Sequence, residues 1–142
     1  MGFKKILVAL DASPETQLVF EEALELAKKE SASLMIFNCV DLGSKLTFPT
    51  AIKEKTQEGE ELTQAYKRKA QEQGIEVESL CRVGEPGKSI CNLAQSWKAD
   101  LIVLGRRGFR GFTEVLLGSV SSHVLHNAPC SVLVIQGEAF ST

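Results

Sequence analysis

At 142 residues, 44% of them hydrophobic, the chain suits one globular domain over 1–142 with a substantial core, and a second domain is not expected. A net charge of −2, with Lys and Arg spread along the chain, excludes the basic footprint of a nucleic-acid binder and the polybasic patch of a membrane-surface protein. No apolar run approaches the ~18 residues of a spanning helix, and the stretch after Lys4 and Lys5 is cut short at Asp11, so a cytoplasmic protein without a secretory signal is expected.

Ile6 to Leu10 is a continuous apolar, β-prone run, as a strand covered on both faces of a parallel sheet requires. Asp11 closes it, read either as a ligand-facing carboxylate or as a strand-end turn residue. Ser13 is placed to cap a helix over 14–30, with Pro14 in its first turn and Val19, Ala23, Leu26 and Ala27 forming its buried stripe. Leu34 to Val40 is the second strand. A loop from Asp41 to Pro49 leads to a charged surface helix over 51–73, which Gly59 is expected to weaken and Gly74 to end. Ile75 to Val83 alternates imperfectly and suits an edge strand. Gly84-Glu85-Pro86-Gly87 turns into a helix over 88–98, with Trp97 as core packing. Leu101 to Leu104 and Val132 to Ile135 complete a βαβαβαβαβ pattern, the α/β class with a doubly wound parallel sheet. Cys39, Cys81, Cys91 and Cys130 show no metal-ligand or redox spacing and read as free thiols, mainly buried.

Two apparent motifs fail on spacing. Gly87-Lys88-Ser89 opens a helix after a strand, but the glycine of a P-loop would have to stand at position 82, which is Arg82. Gly105, Gly108 and Gly111 are three apart, so no dinucleotide fingerprint forms. The stretch Gly105 to Ser119 still says most about function. It runs from a strand to a helix start, Ser119 is a good N-cap, and free N–H groups with the helix dipole there suit a phosphate. Strand–helix links of about 2–6 residues are usual, and this one is longer. A turn without a ligand and a phosphate site both fit the glycines alone.

The spacing G-x2-G-x9-G-[ST], filled by Gly105, Gly108, Gly118 and Ser119, resembles the ATP-binding signature of the universal stress proteins. The likeness extends through KKILVALDAS, Val40-Asp41, Val83 to Pro86, ADLIVLGRRG and Ala128 to Ile135. It implies a Rossmann-like sheet of order 3-2-1-4-5 with helices on both faces. It also implies an adenine-nucleotide pocket: Ala9, Leu10 and Asp11 at the adenosine, Val40 at the adenine, and Gly105, Arg106 and Gly108 around ribose and phosphates. Gly118, Ser119 and Val120 then hold the distal phosphates of ATP. A divalent ion, Mg2+ or Mn2+, rides on those phosphates with mostly water ligands. The same resemblance implies a homodimer through Val132 to Ile135, a short apolar strand open to pairing. One of Arg106, Arg107 and Arg110 is expected to neutralise phosphate, while His123 and His126 read as surface residues rather than a metal pair. No catalytic set converges, so a stress-linked sensor or regulator with at most slow ATP hydrolysis is expected. The alternatives are an adenine-nucleotide α-hydrolase-type enzyme and, last, a phosphoacceptor receiver domain.

Overall fold

The computed structural model describes residues 2–43, 48–106 and 118–136. Apolar β-prone runs and amphipathic helices alternate along the chain as β1 (Lys5–Ala9), α1 (Thr16–Glu30), β2 (Ser33–Val40), α2 (Pro49–Glu72), β3 (Val77–Val83), α3 (Pro86–Trp97), β4 (Leu101–Gly105), α4 (Ser119–Asn127) and β5 (Ser131–Ile135). All neighbouring strands pair parallel, in the order β3-β2-β1-β4-β5.

Because successive side chains in a strand point to opposite faces, the central strands feed two separate cores. Ile6, Val8, Leu34, Ile36, Leu101 and Val103 pack with Val19, Phe20, Ala23 and Ala27 of α1 and with Ala70 of α2. Leu7, Met35, Phe37, Ile102 and Leu104 pack on the other face with Ile90, Leu93 and Ala94 of α3 and Val124 of α4. Nearly every one of these strand residues is fully buried, and each is worth about 1.5–3 kcal/mol. Helices therefore cover both faces, and the continuous apolar runs of β1, β2 and β4 follow from that double burial.

The ladder between β1 and β4 ends at Val8–Val103. The chain after β1 enters α1 on one face, and the chain after β4 leads to α4 on the other. Two adjacent strands that send their connections to opposite faces leave a crevice at their carboxyl ends, the usual ligand position in open α/β sheets.

Several local expectations are revised. Ser13 does not cap α1: its N–H donates to Asp11 Oδ1 at 2.9 Å, and the helix starts at Thr16 with Glu15 as N-cap. Residues 11–15 are spent on this side-chain-closed turn. Gly118, not Ser119, is the N-cap of α4. Gly59 is not a weak point on a surface helix. It is buried, and a Cβ there would stand 2.6 Å from Cys81 Sγ and 3.2 Å from Val40 Cγ2, so its missing side chain lets α2 lie close on β2 and β3. Gly74, at φ +80°, follows the helix end as anticipated. All four cysteines are free, but only Cys91 is buried; Cys39, Cys81 and Cys130 are half-buried. Among the described residues no helix is long and apolar enough to cross a membrane.

Candidate functional site

A cavity of about 230 Å³ occupies the crevice. Its apolar wall comes from Ala9, Phe37, Leu104, Ile90 of α3 and Val120 of α4, which together offer a surface suited to a flat aromatic ring. Polar groups line the rest: the carboxylates of Asp11, Glu15 and Asp41, the hydroxyls of Ser13, Thr16 and Ser121, and the Cys39 thiol.

Asp11 is fixed by its own turn. The Thr16 hydroxyl accepts the Asp11 N–H at 3.2 Å, lies 2.8 Å from Asp11 Oδ1, and also contacts the Asp11 carbonyl. With one proton to give, that hydroxyl donates to one of these oxygens at a time. Asp11 Oδ1 is thus held by Ser13 and Thr16, and Oδ2 has no hydrogen bond among the described residues. Behind it, the buried Asn38 side chain donates to the Leu10 carbonyl at 2.9 Å and ties the end of β1 to β2.

The β4 side is organised by the Arg106 backbone. Its N–H donates to the Ile135 carbonyl at 2.9 Å, and its carbonyl accepts the Gly118 N–H at 2.9 Å and the Ser121 hydroxyl at 2.7 Å. Chain departure at 106 and return at 118 are clasped together at this one carbonyl. Gly105 meets Glu15: a Cβ added there would stand 3.2 Å from Glu15 Oε1 and 3.5 Å from Val19 Cγ2, so the glycine keeps this corner of the crevice open.

Of the residues singled out from sequence, Ala9, Leu10, Asp11, Gly105 and Val120 line the cavity together. Arg106 and Gly118 form the clasp at its edge, and the Gly118 N–H is already engaged there. Ser119 is exposed at the first position of α4. Val40 does not line the cavity. Its carbonyl accepts the Gly84 N–H at 3.0 Å and its side chain lies over Gly59, whereas Cys39 and Asp41 on either side face the opening. Gly108, Arg107 and Arg110 lie outside the described residues.

Gly84 and Glu85 lead directly into α3, whose first residues shape the wall, with Pro86 on the cavity lining. A Cβ on Gly87 would come within 2.8 Å of the His123 ring, so α3 and α4 approach each other through this glycine. His123 is accordingly half-buried, not a surface residue, while His126 is exposed with Nδ1 2.8 Å from the Ser122 carbonyl. Among the described residues no cluster of three or more His, Cys, Asp or Glu is arranged to hold a metal ion. Burial raises the Cys39 pKa; the Ser89 hydrogen bond opposes it in part, and the nearby Asp41 charge adds a smaller upward push. The cavity therefore has a neutral thiol in its wall at ordinary pH.

Sequence reasoning did not single out Thr16 and Ser121 for the site, nor Cys39. Thr16 and Ser121 carry a weak signal, a hydroxyl in the first turn of a helix that follows a strand. Cys39 carries a stronger one, because strand alternation sets it on the same face as Phe37.

A family model described as the universal stress protein family matches residues 2–136. A universal stress protein from Synechocystis sp. is 42% identical over 153 residues, covering 96% of this chain and 99% of that protein. Among solved structures, universal stress protein UspA from Lactobacillus plantarum is 27% identical with a TM-score of 0.83, covering 95% of this chain and 99% of the other. A universal stress protein from Archaeoglobus fulgidus, in complex with dAMP, shares the fold at 24% identity and a TM-score of 0.70, covering 95% and 99%.

Proposed function

From the premise that this chain belongs to the universal stress protein family, we propose that its crevice binds an adenine nucleotide, ATP in particular, and that the protein acts as a nucleotide-dependent sensor or regulator in the stress response. The observation that carries this reading is the cavity at the ends of β1 and β4, with an apolar wall and the Asp11 carboxylate held at its rim. The dAMP complex of the Archaeoglobus fulgidus relative supports the choice of an adenine nucleotide.

In this reading Ala9, Leu10 and Asp11 meet the nucleoside, with Asp11 Oδ2 at the ribose or the metal-bound phosphates. Val40 acts through the position it gives Cys39 and Asp41. Gly105, Arg106 and Gly108 surround ribose and phosphates, and the start of α4 at Gly118, Ser119 and Val120 receives the distal phosphates. The site fits a divalent cation carried by the nucleotide, because Asp11 and Asp41 supply hard carboxylate oxygens on the cavity lining. Mg2+ or Mn2+ would neutralise phosphate charge there. The protein works in the cytoplasm as a homodimer joined through β5, and any ATP hydrolysis is slow.

Calorimetric titration with Mg-ATP tests the binding. Heat of association that saturates below about 1 mM nucleotide is expected for the native chain. Gly105→Val, which sets two methyl groups against Glu15 and Val19, should abolish that heat while circular dichroism stays native. No heat from the native chain would overturn the proposal, and steady multi-turnover phosphate release would move it to an enzyme.

A further inference from the structure

The sheet has two edges, and the reading above uses only β5. The other edge, β3, carries Val77-Glu78-Ser79-Leu80-Cys81-Arg82-Val83. Two bonds fix which of its backbone groups turn inward: the Leu34 N–H donates to the Glu76 carbonyl at 2.9 Å, and the Gly84 N–H donates to the Val40 carbonyl at 3.0 Å. Glu76 and Gly84 are even-numbered positions facing β2. By strand alternation Glu78, Leu80 and Arg82 face β2 as well, while Val77, Ser79, Cys81 and Val83 direct N–H and C=O groups away from the sheet.

We propose that β3 is a self-association surface in which a second copy of the chain adds its own β3 antiparallel, about a two-fold axis through Leu80. The sequence of the strand is self-complementary about that residue. Ser79 then faces Cys81 of the second copy and Val77 faces Val83, each pair exchanging outward backbone groups, for about eight inter-chain hydrogen bonds. The intervening pairs are Leu80 with Leu80 and Glu78 with Arg82, twice. These fall at the non-hydrogen-bonded positions, where facing side chains stand closest and opposite charges interact best. Moving the axis to Ser79 sets Glu78 against Leu80, and moving it to Cys81 sets Arg82 against Leu80, so Leu80 alone matches both charges.

The surroundings agree with the same axis. Glu78 and Arg82 are exposed, Leu80 is only partly covered on the α3 face, and Val83 is 48% exposed. On the other face, Gln64 Nε2 donates to Ser79 Oγ at 3.4 Å and Cys81 Sγ lies 3.9 Å from the Thr56 carbonyl, so α2 runs antiparallel to β3 with Glu60 level with Leu80. The α2 surface on that side borders an open depression of about 620 Å³, with Glu60 and Glu61 near its middle and the basic Lys53 and Arg68 at its two ends, and it faces α2 of the second copy. Glu60 and Glu61 then approach their own counterparts across the axis, and this like-charge contact limits the affinity.

Sedimentation equilibrium on the full chain, up to about 1 mM, tests the pairing through charge reversal. E78R alone and R82E alone should each associate through this edge about tenfold more weakly than the native chain, because each reversal sets like charges opposite each other twice. An equimolar mixture of E78R and R82E should regain association, since the reversed charge of one chain then faces its opposite on the other. E60Q/E61Q should associate more tightly than the native chain. Single reversals that behave as native, or a mixture no stronger than its components, would overturn the proposal. Pairing through β5 is untouched by any of these changes, so its presence or absence leaves the mixing result readable.

Discussion

The same two strands behave differently at their two ends. At the amino end of β1 and β4, Asp100 accepts the Lys4 N–H at 2.9 Å and the Lys5 N–H at 3.1 Å, and returns its own N–H to the Lys5 carbonyl at 2.9 Å. The Lys5 ammonium donates to the Trp97 carbonyl at 2.9 Å and sits 4.8 Å above the Trp97 ring. Polar groups there answer one another and the strands are stapled shut. At the carboxyl end the ladder stops at Val8–Val103, the connections leave to opposite faces, and a cavity opens. Two aspartates mark the contrast: Asp100 closes an end by spending both oxygens on backbone amides, whereas among the described residues Asp11 has only Oδ1 tied down. One end holds the sheet together; the other opens into the cavity.

Separating the two ends by mutation gives the largest effect at Asp100. Asp100→Ala removes a charged acceptor from two backbone donors and should lower stability by about 3 kcal/mol, read by urea denaturation, with adenine-nucleotide affinity unchanged. A matching loss of affinity would erase the distinction between the ends. Gly87→Ala acts on the crevice wall, forcing α3 away from the His123 ring, and is expected to cost about 2 kcal/mol and to weaken nucleotide binding at the same time. Ser121→Ala removes the hydroxyl from the Arg106 carbonyl. It should cost about 1 kcal/mol and reduce affinity severalfold, since the clasp at the mouth loosens while the core is intact. The smallest effect concerns Cys39. Burial favours its protonated form, so the folded state holds the thiol neutral below the ordinary value of 9.0 and loses that contribution as pH rises through the raised one. Alkylation of Cys39 at neutral pH, followed by mass spectrometry, should therefore be slower than for an exposed thiol and slower again with saturating AMP.

Much of this was legible from the chain. Double burial wrote β1, β2 and β4 as unbroken apolar runs, and their alternation with helical stripes fixed the α/β class. Strand order came with the family resemblance, because periodicity does not record which strands are neighbours. What stayed hidden depended on contacts between distant residues. Gly59 looked like a poor helix former because helix propensity carries no trace of Cys81 and Val40 beneath it. Ser13 and Ser119 had the composition of caps, but Asp11 captured the first turn of one helix, and at the other Gly118 took the cap position while Ser121 bonded the Arg106 carbonyl. The family resemblance implies Val40 at the adenine, yet alternation and the bond from Gly84 turn it to the α2 face and leave its neighbours on the cavity lining. In each case the residue type was compatible with two roles, and a partner far along the chain decided between them.

Under the proposed function a ligand enters at the carboxyl end alone. Titration of the 15N-labelled chain with AMP, followed by amide chemical shifts, tests it directly. Shifts should concentrate at Ala9 to Asp11, Cys39 to Asp41, Gly105, Arg106 and Ser119 to Ser121, with Lys4, Lys5 and Asp100 unmoved. Shifts centred on the Asp100 end or on α2, or none at all at millimolar AMP, would rule out ligand entry there.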